Sequence, residues 1–190
     1  MQKNLKYINH SIVFQEVPNE VTLAINISGC PVHCEGCHSK YLWEDTGNYI
    51  TDDLPQLLET YKDKITCVCF MGGDHNRDCL EELKYLCYLC GEAGLKTALY
   101  TGRTIYSELI AFAIHYLDYL KVGEYISELG GLDNPNTNQR MFQMAVENDQ
   151  NVFKDITSLF WHTDATVTTL STTEMFKYAA LANSQKIKRG

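Results

Sequence analysis

Val21-Thr22-Leu23-Ala24-Ile25-Asn26-Ile27-Ser28-Gly29-Cys30-Pro31-Val32-His33-Cys34-Glu35-Gly36-Cys37-His38 is the stretch on which the reading of the fold turns. Leu23, Ile25 and Ile27 share one face at a period of two, so a strand is expected over residues 21–27, stopping at Ser28-Gly29. The cysteines begin where that strand ends. Downstream, Thr51-Asp52-Asp53 offers helix caps ahead of Leu54-Pro55-Gln56-Leu57-Leu58-Glu59-Thr60-Tyr61, with the proline in a first turn where its missing N–H has no partner to lose. Residues 65–71 form an unbroken apolar run bounded by Gly72-Gly73, the pattern of a strand covered on both faces. Residues 79–93 are apolar at Leu83, Leu86, Cys87 and Cys90 and end at Gly94, which predicts a helix. A strand over 96–101, a helix over 105–115 and a strand over 119–122 follow. Strands alternating with helices imply parallel crossovers, an α/β fold, and ligand binding in loops at the carboxyl ends of the strands.

Beyond Gly130 the text turns loop-like through Arg140, and residues 156–161 read as a last strand. A main domain over 1–161 is expected, with 162–190 a C-terminal extension of unknown role. That extension carries six threonines and a serine over 163–173, a helix-compatible stretch at 175–182, and four basic residues against two acidic, Lys186, Lys188 and Arg189 among them.

The 190 residues are about one domain's worth, and 45% hydrophobic with 21% charged residues excludes collagen-like, low-complexity and disordered classes. The densest apolar stretch, 109–114, falls far short of the roughly 20 residues a membrane helix needs. Met1-Gln2-Lys3-Asn4 lacks the apolar core and cleavage site of a signal peptide, so a cytoplasmic setting without membrane attachment is expected. A net charge of −8 disfavours nucleic acid, which is held by neutralising phosphates. Eight cysteines without a secretion signal point to thiolates that bind metal or pack reduced.

Cys30, Cys34 and Cys37 form a C-x3-C-x2-C triplet directly after the first strand read. Three thiolates on a short loop can converge on one soft metal centre. A 4Fe-4S cluster takes four thiolates, so three leave one iron open to an outside ligand and hence to chemistry. Zinc competes, because His33 or His38 would complete a closed Cys3His site. Spacing and strand-end placement favour iron–sulfur. The other five cysteines occupy packing positions: Cys67 and Cys69 on one strand face, and Cys79, Cys87 and Cys90 on a helix.

The triplet in this setting resembles the motif of the radical S-adenosylmethionine (SAM) enzymes, which has the same spacing after the first strand of a partial (β/α) barrel. Residues 28–38 with Trp43 are similar to one branch, the activating proteins of anaerobic ribonucleoside-triphosphate reductase. So are Met71-Gly72-Gly73-Asp74, Leu99-Tyr100-Thr101-Gly102, Leu120-Lys121-Val122-Gly123-Glu124-Tyr125 and Asn138-Gln139-Arg140. Met71 stands where the family carries a small hydroxyl residue, and no proline follows Asp74.

The resemblance implies a partial (β/α) barrel of parallel strands of radical SAM type. It implies that Cys30, Cys34 and Cys37 hold three irons of a 4Fe-4S cluster, while the fourth binds the amino and carboxylate groups of S-adenosylmethionine. Catalysis would run through those cysteines by way of the cluster. Gly36, Cys37 and His38 would line the adenine, Gly72, Gly73 and Asp74 would receive the methionine end, and Thr101 would contact ribose or methionine. Asn138, Gln139 and Arg140 have two equal readings, contact with cofactor or partner and a structural loop. The implied partners are the large subunit of anaerobic ribonucleotide reductase, which would acquire a glycyl radical, and a reduced flavodoxin-like electron donor. Alternatives are another radical SAM enzyme, either a different glycyl-radical activase or a deazapurine synthase, and a zinc-binding interaction module.

Overall fold

The chain begins with β1 (Lys6–Val13), which returns as β2 (Thr22–Ile27), the alternating run at the head of the cysteine stretch. β3 (Asn48–Tyr49) leads without a break into α1 (Ile50–Thr60). Next come β4 (Cys67–Met71), α2 (Arg77–Glu92) and β5 (Lys96–Tyr100). The rest comprises α3 (Ser107–Tyr116), β6 (Tyr119–Val122), β7 (Arg140–Glu147), β8 (Gln150–Asp155), β9 (Thr168–Ser171) and α4 (Thr172–Ile187). This computed structural model describes residues 2–161 and 165–187, with side chains as far as Leu181. The Lys186 side chain, Lys188, Arg189 and part of the threonine-rich run therefore lie outside what is described. Among the described residues no helix is long and apolar enough to cross a membrane.

The chain divides into two compact units, one of residues up to His33 with Cys37–Tyr100, the other of Cys34–Gly36 with the residues from Thr101 on. In the first unit the strands run in the order β3-β1-β2-β4-β5. β2 pairs parallel with β4 and β4 with β5, in a register that sets Asn26 beside Met71 and Met71 beside Tyr100. The loops after β2 and β4 therefore leave the sheet at the same edge. Leu23, Ile25, Phe70 and Leu83 are wholly buried. Each such side chain contributes about 1.5–3 kcal/mol relative to exposure. α2 starts at Arg77, two residues before the expected start, where the Asn76 side chain accepts from the Cys79 N–H at 3.0 Å as a cap. α1 also starts early, at Ile50, so Pro55 lies inside the helix and not in its first turn. Wholly buried Ile50 anchors that earlier start.

The second unit corrects the expected all-parallel array. β6, β7, β8 and β9 pair antiparallel throughout, and in the first unit β1 and β3 are antiparallel as well. The molecule is mixed α/β, with parallel pairing over β2, β4 and β5. The physical reason is connection length. β7 and β8 are joined by Asn148 and Asp149, both left-handed at φ 51° and 61°, and a two-residue hairpin can join only antiparallel strands. The strand expected over 156–161 is instead a short 3-10 helix, Thr157–Phe160. The segment beyond Trp161 contributes β9 and α4 to this unit, β9 pairing with β8.

Candidate metal centre

The cysteine loop is tied at its base within the first unit. Ser28 N–H donates to the Lys6 carbonyl at 2.9 Å and the Ser28 hydroxyl to the Thr46 carbonyl at 2.6 Å. Gly29 N–H donates to Glu44 at 3.2 Å and Cys30 N–H to the carbonyl of buried Leu42 at 2.9 Å. The returning segment therefore clamps the strand-end residues through the main chain, and Cys30 is fixed at the base of the loop. Further along, the Cys37 sulfur accepts from Ser39 N–H at 3.3 Å. His33, left-handed at φ 50°, stacks on Trp43 with ring centroids 4.6 Å apart, and the Lys40 ammonium lies 5.6 Å from the same indole.

The loop after β4 stands next to this base. A Cβ built on Gly29 would lie 3.6 Å from His75 Cε1, so the two strand-end turns touch. Gly73 adopts φ +117°, and a Cβ there would press to 3.2 Å on both δ carbons of Leu83. That alone requires glycine, whatever the loop binds. Gly72 turns at φ +103° and donates its N–H to the Tyr100 carbonyl at 2.8 Å. Asp74 is 4% exposed, and His38 is exposed.

The remaining expected residues fall in the second unit. Gly36, at φ +73°, lies against the turn after β6, where an added Cβ would be 3.6 Å from Ser127 Cβ and 3.7 Å from Tyr125 Cε1. Buried Thr101 donates its N–H to the Lys121 carbonyl at 2.8 Å, and its hydroxyl accepts from Arg103 N–H at 2.9 Å. The 138–140 segment is tied to main-chain carbonyls within the same unit. Asn138 donates to the Glu124 carbonyl at 3.0 Å, and Arg140 donates to the carbonyls of Thr137 at 2.8 Å and Gln139 at 2.7 Å. The Asn138 side-chain oxygen is buried without a hydrogen-bond partner among the described residues, so both readings of the segment stand.

Lys121 was not singled out by the sequence reading. It is 8% exposed, and its ammonium donates to the Gly123 carbonyl at 2.8 Å. Burial pushes its pKa down to about 8, while nearby Cys34 pulls in the opposite direction, toward the charged form. The available signal was a lysine inside the otherwise apolar strand Tyr-Leu-Lys-Val.

Two observations test whether these residues suit an iron–sulfur cluster. The eight cysteines, none of them in a disulfide, separate into two sets: Cys30, Cys34 and Cys37 are half-buried, whereas Cys67, Cys69, Cys79, Cys87 and Cys90 are buried. Burial raises the thiols of Cys69 and Cys79 and pushes Cys90 up to about 12, keeping them protonated and poor as ligands. The loop thiols are the accessible soft donors. The second observation is the Trp43 indole N–H, buried and without a hydrogen-bond partner among the described residues, on the ring that stacks with His33 of the cysteine loop. The donor chemistry fits, although among the described residues no group of three or more His, Cys, Asp or Glu side chains is gathered as a ligand set.

Residues 20–143 match the family described as 4Fe-4S single cluster domain. No curated protein and no solved structure matches the chain significantly. The family match covers well over half of the chain and takes in all three loop cysteines, so the protein belongs to the 4Fe-4S single cluster domain family.

Proposed function

We propose that the protein is a radical SAM activase, in which Cys30, Cys34 and Cys37 hold a 4Fe-4S cluster and the product is a glycyl radical on the large subunit of anaerobic ribonucleotide reductase. The observation that carries the reading is the count of accessible thiols. The loop offers three half-buried cysteines where a closed cluster takes four, which leaves one iron for an exogenous ligand. When bound, the reduced cluster supplies the electron that cleaves S-adenosylmethionine, and the resulting organic radical takes a hydrogen from the partner glycine.

The chain's own part is positioning and exclusion of water. The clamped base of the loop fixes Cys30, and the N–H of Ser39 supports the Cys37 sulfur. Gly72-Gly73, at the neighbouring strand end, present main chain that a cofactor can approach closely, and buried Asp74 supplies an acceptor suited to an ammonium group. Gly36 and His38 flank the last cysteine where an adenine would lie, and Thr101 is the candidate for ribose. A reduced flavodoxin-like protein is the proposed electron donor.

The test is electron paramagnetic resonance on anaerobically reconstituted, dithionite-reduced protein, with and without S-adenosylmethionine, alongside iron and zinc content. A 4Fe-4S signal that changes on adding S-adenosylmethionine supports an open iron. Deuterium passing from a labelled reductase glycine into 5′-deoxyadenosine then supports the activase reading. Stoichiometric zinc without iron refutes both.

A further inference from the structure

Lys121 sits in β6, whose four residues are all buried. An ammonium there is expensive, since burial strips its water and, among the described residues, the Gly123 carbonyl engages one of its three donors. Its strand neighbours Leu120 and Val122 are apolar and buried. What lies close is the middle of the cysteine loop, whose Cys34 interacts electrostatically with the ammonium. Cys34–Gly36 belongs to the same compact unit as β6. Gly36 lies against Tyr125 and Ser127, in the turn that follows the Gly123 carbonyl to which the ammonium is bonded.

We propose that Lys121 is a positioning residue acting through Cys34, a fixed buried cation that raises the reduction potential of the cluster held by the loop. The inference rests on the cluster reading above and adds to it a determinant of the cluster's potential. Reduction places one more negative charge on the cluster and its thiolates. A cation held close by stabilises the reduced form more than the oxidised one. Burial matters as well, because a surface lysine would be screened by water and salt within a Debye length.

The experiment is a redox titration of reconstituted wild-type protein and of Lys121→Met, Lys121→Gln and Lys121→Arg, followed by the resonance signal of the reduced cluster, with iron content determined for each. Met keeps the length of the stem without the charge. Gln keeps a donor for the Gly123 carbonyl, so misfolding of the Met variant does not end the test. The expected result is a fall of tenfold or more in the reduction equilibrium constant for both neutral variants, about 59 mV for a one-electron couple. Lys121→Arg should stay near wild type. Neutral variants that carry full iron and titrate with wild-type potential would overturn the proposal. A wild-type protein that assembles no cluster at all would overturn the underlying reading, and the iron measurement tells the two failures apart.

Discussion

Replacing Gly73 by alanine tests whether the turn after β4 is shaped by packing on α2. The backbone at φ +117° lies where L-residues are strained, at a cost of about 1–3 kcal/mol. The new methyl would press to 3.2 Å on both δ carbons of Leu83, which is wholly buried and must shift by a few tenths of an ångström. Overpacking of that kind costs about 1 kcal/mol at the low end of its range. Gly73→Ala should therefore destabilise by about 2–4 kcal/mol. Leu83→Ala alone should cost about 2–5 kcal/mol through the cavity it leaves. In the double variant the alanine methyl enters that cavity, so the loss should fall short of the sum by about 1 kcal/mol or more, while the φ strain remains. Equilibrium urea unfolding of the four proteins, followed by far-ultraviolet circular dichroism, measures the coupling. Losses that add to within about 0.3 kcal/mol would refute the reasoning, because the two residues would then not press on each other.

Serine at Cys30, Cys34 or Cys37 should abolish most of the reconstituted iron, whereas Cys87→Ala should keep it; iron loss on Cys87→Ala would mean that the ligand set is misassigned. Glu82→Leu should be costly, because this wholly buried carboxylate accepts from Asn4 N–H at 2.5 Å, Leu5 N–H at 3.0 Å and the Thr51 hydroxyl. Orphaning those donors is worth about 3–5 kcal/mol. At roughly 2–4 °C per kcal/mol for a chain of this size, the melting temperature should drop by about 6–20 °C. An unchanged melting curve would remove Glu82 as the tie between the N-terminus and α2. Alkaline stability offers a further check, since burial pushes the Cys90 thiol from 9.0 up to about 12. Between those values the folded state binds the proton that the unfolded chain has released, so stability falls as pH rises from 9 toward 12, by up to about 1.4 kcal/mol per pH unit. Cys90→Ala should flatten that fall relative to wild type, and parallel curves would contradict the assignment.

The parts of the fold legible in the sequence were those with local periodicity. β2, β4, β5 and β6 follow from apolar runs and alternation, α2 from helical spacing and α1 from its capping residues, and with α3 each is placed to within about four residues. β1 was missed because Lys6, Asn9, His10 and Ser11 interrupt its apolar pattern, and its strand character comes from pairing with β2. The β7–β8 hairpin falls between the loop expected up to Arg140 and the strand expected over 156–161, in a stretch the sequence reading leaves unassigned, although Asn148-Asp149 between two mixed runs is a usable turn signal. Strand direction was the larger error. Alternating elements suggested parallel pairing everywhere, but direction depends on where each connection delivers the chain, which periodicity does not encode.

The cysteine triplet, its spacing and its place after a strand were fixed by the order of residues alone, because ligand type and loop length are local properties. The contrast between accessible and buried thiols needed the folded chain, since only packing removes water from Cys69 or Cys90 and raises their pKa values. Tertiary structure likewise decided that Gly73 answers to Leu83, that Asn138 bonds to the Glu124 carbonyl, and that Lys121 in β6 is buried with its charge near Cys34. Each of these depends on residues far apart in sequence meeting in space, and the electrostatics of a candidate cluster site are set by such meetings.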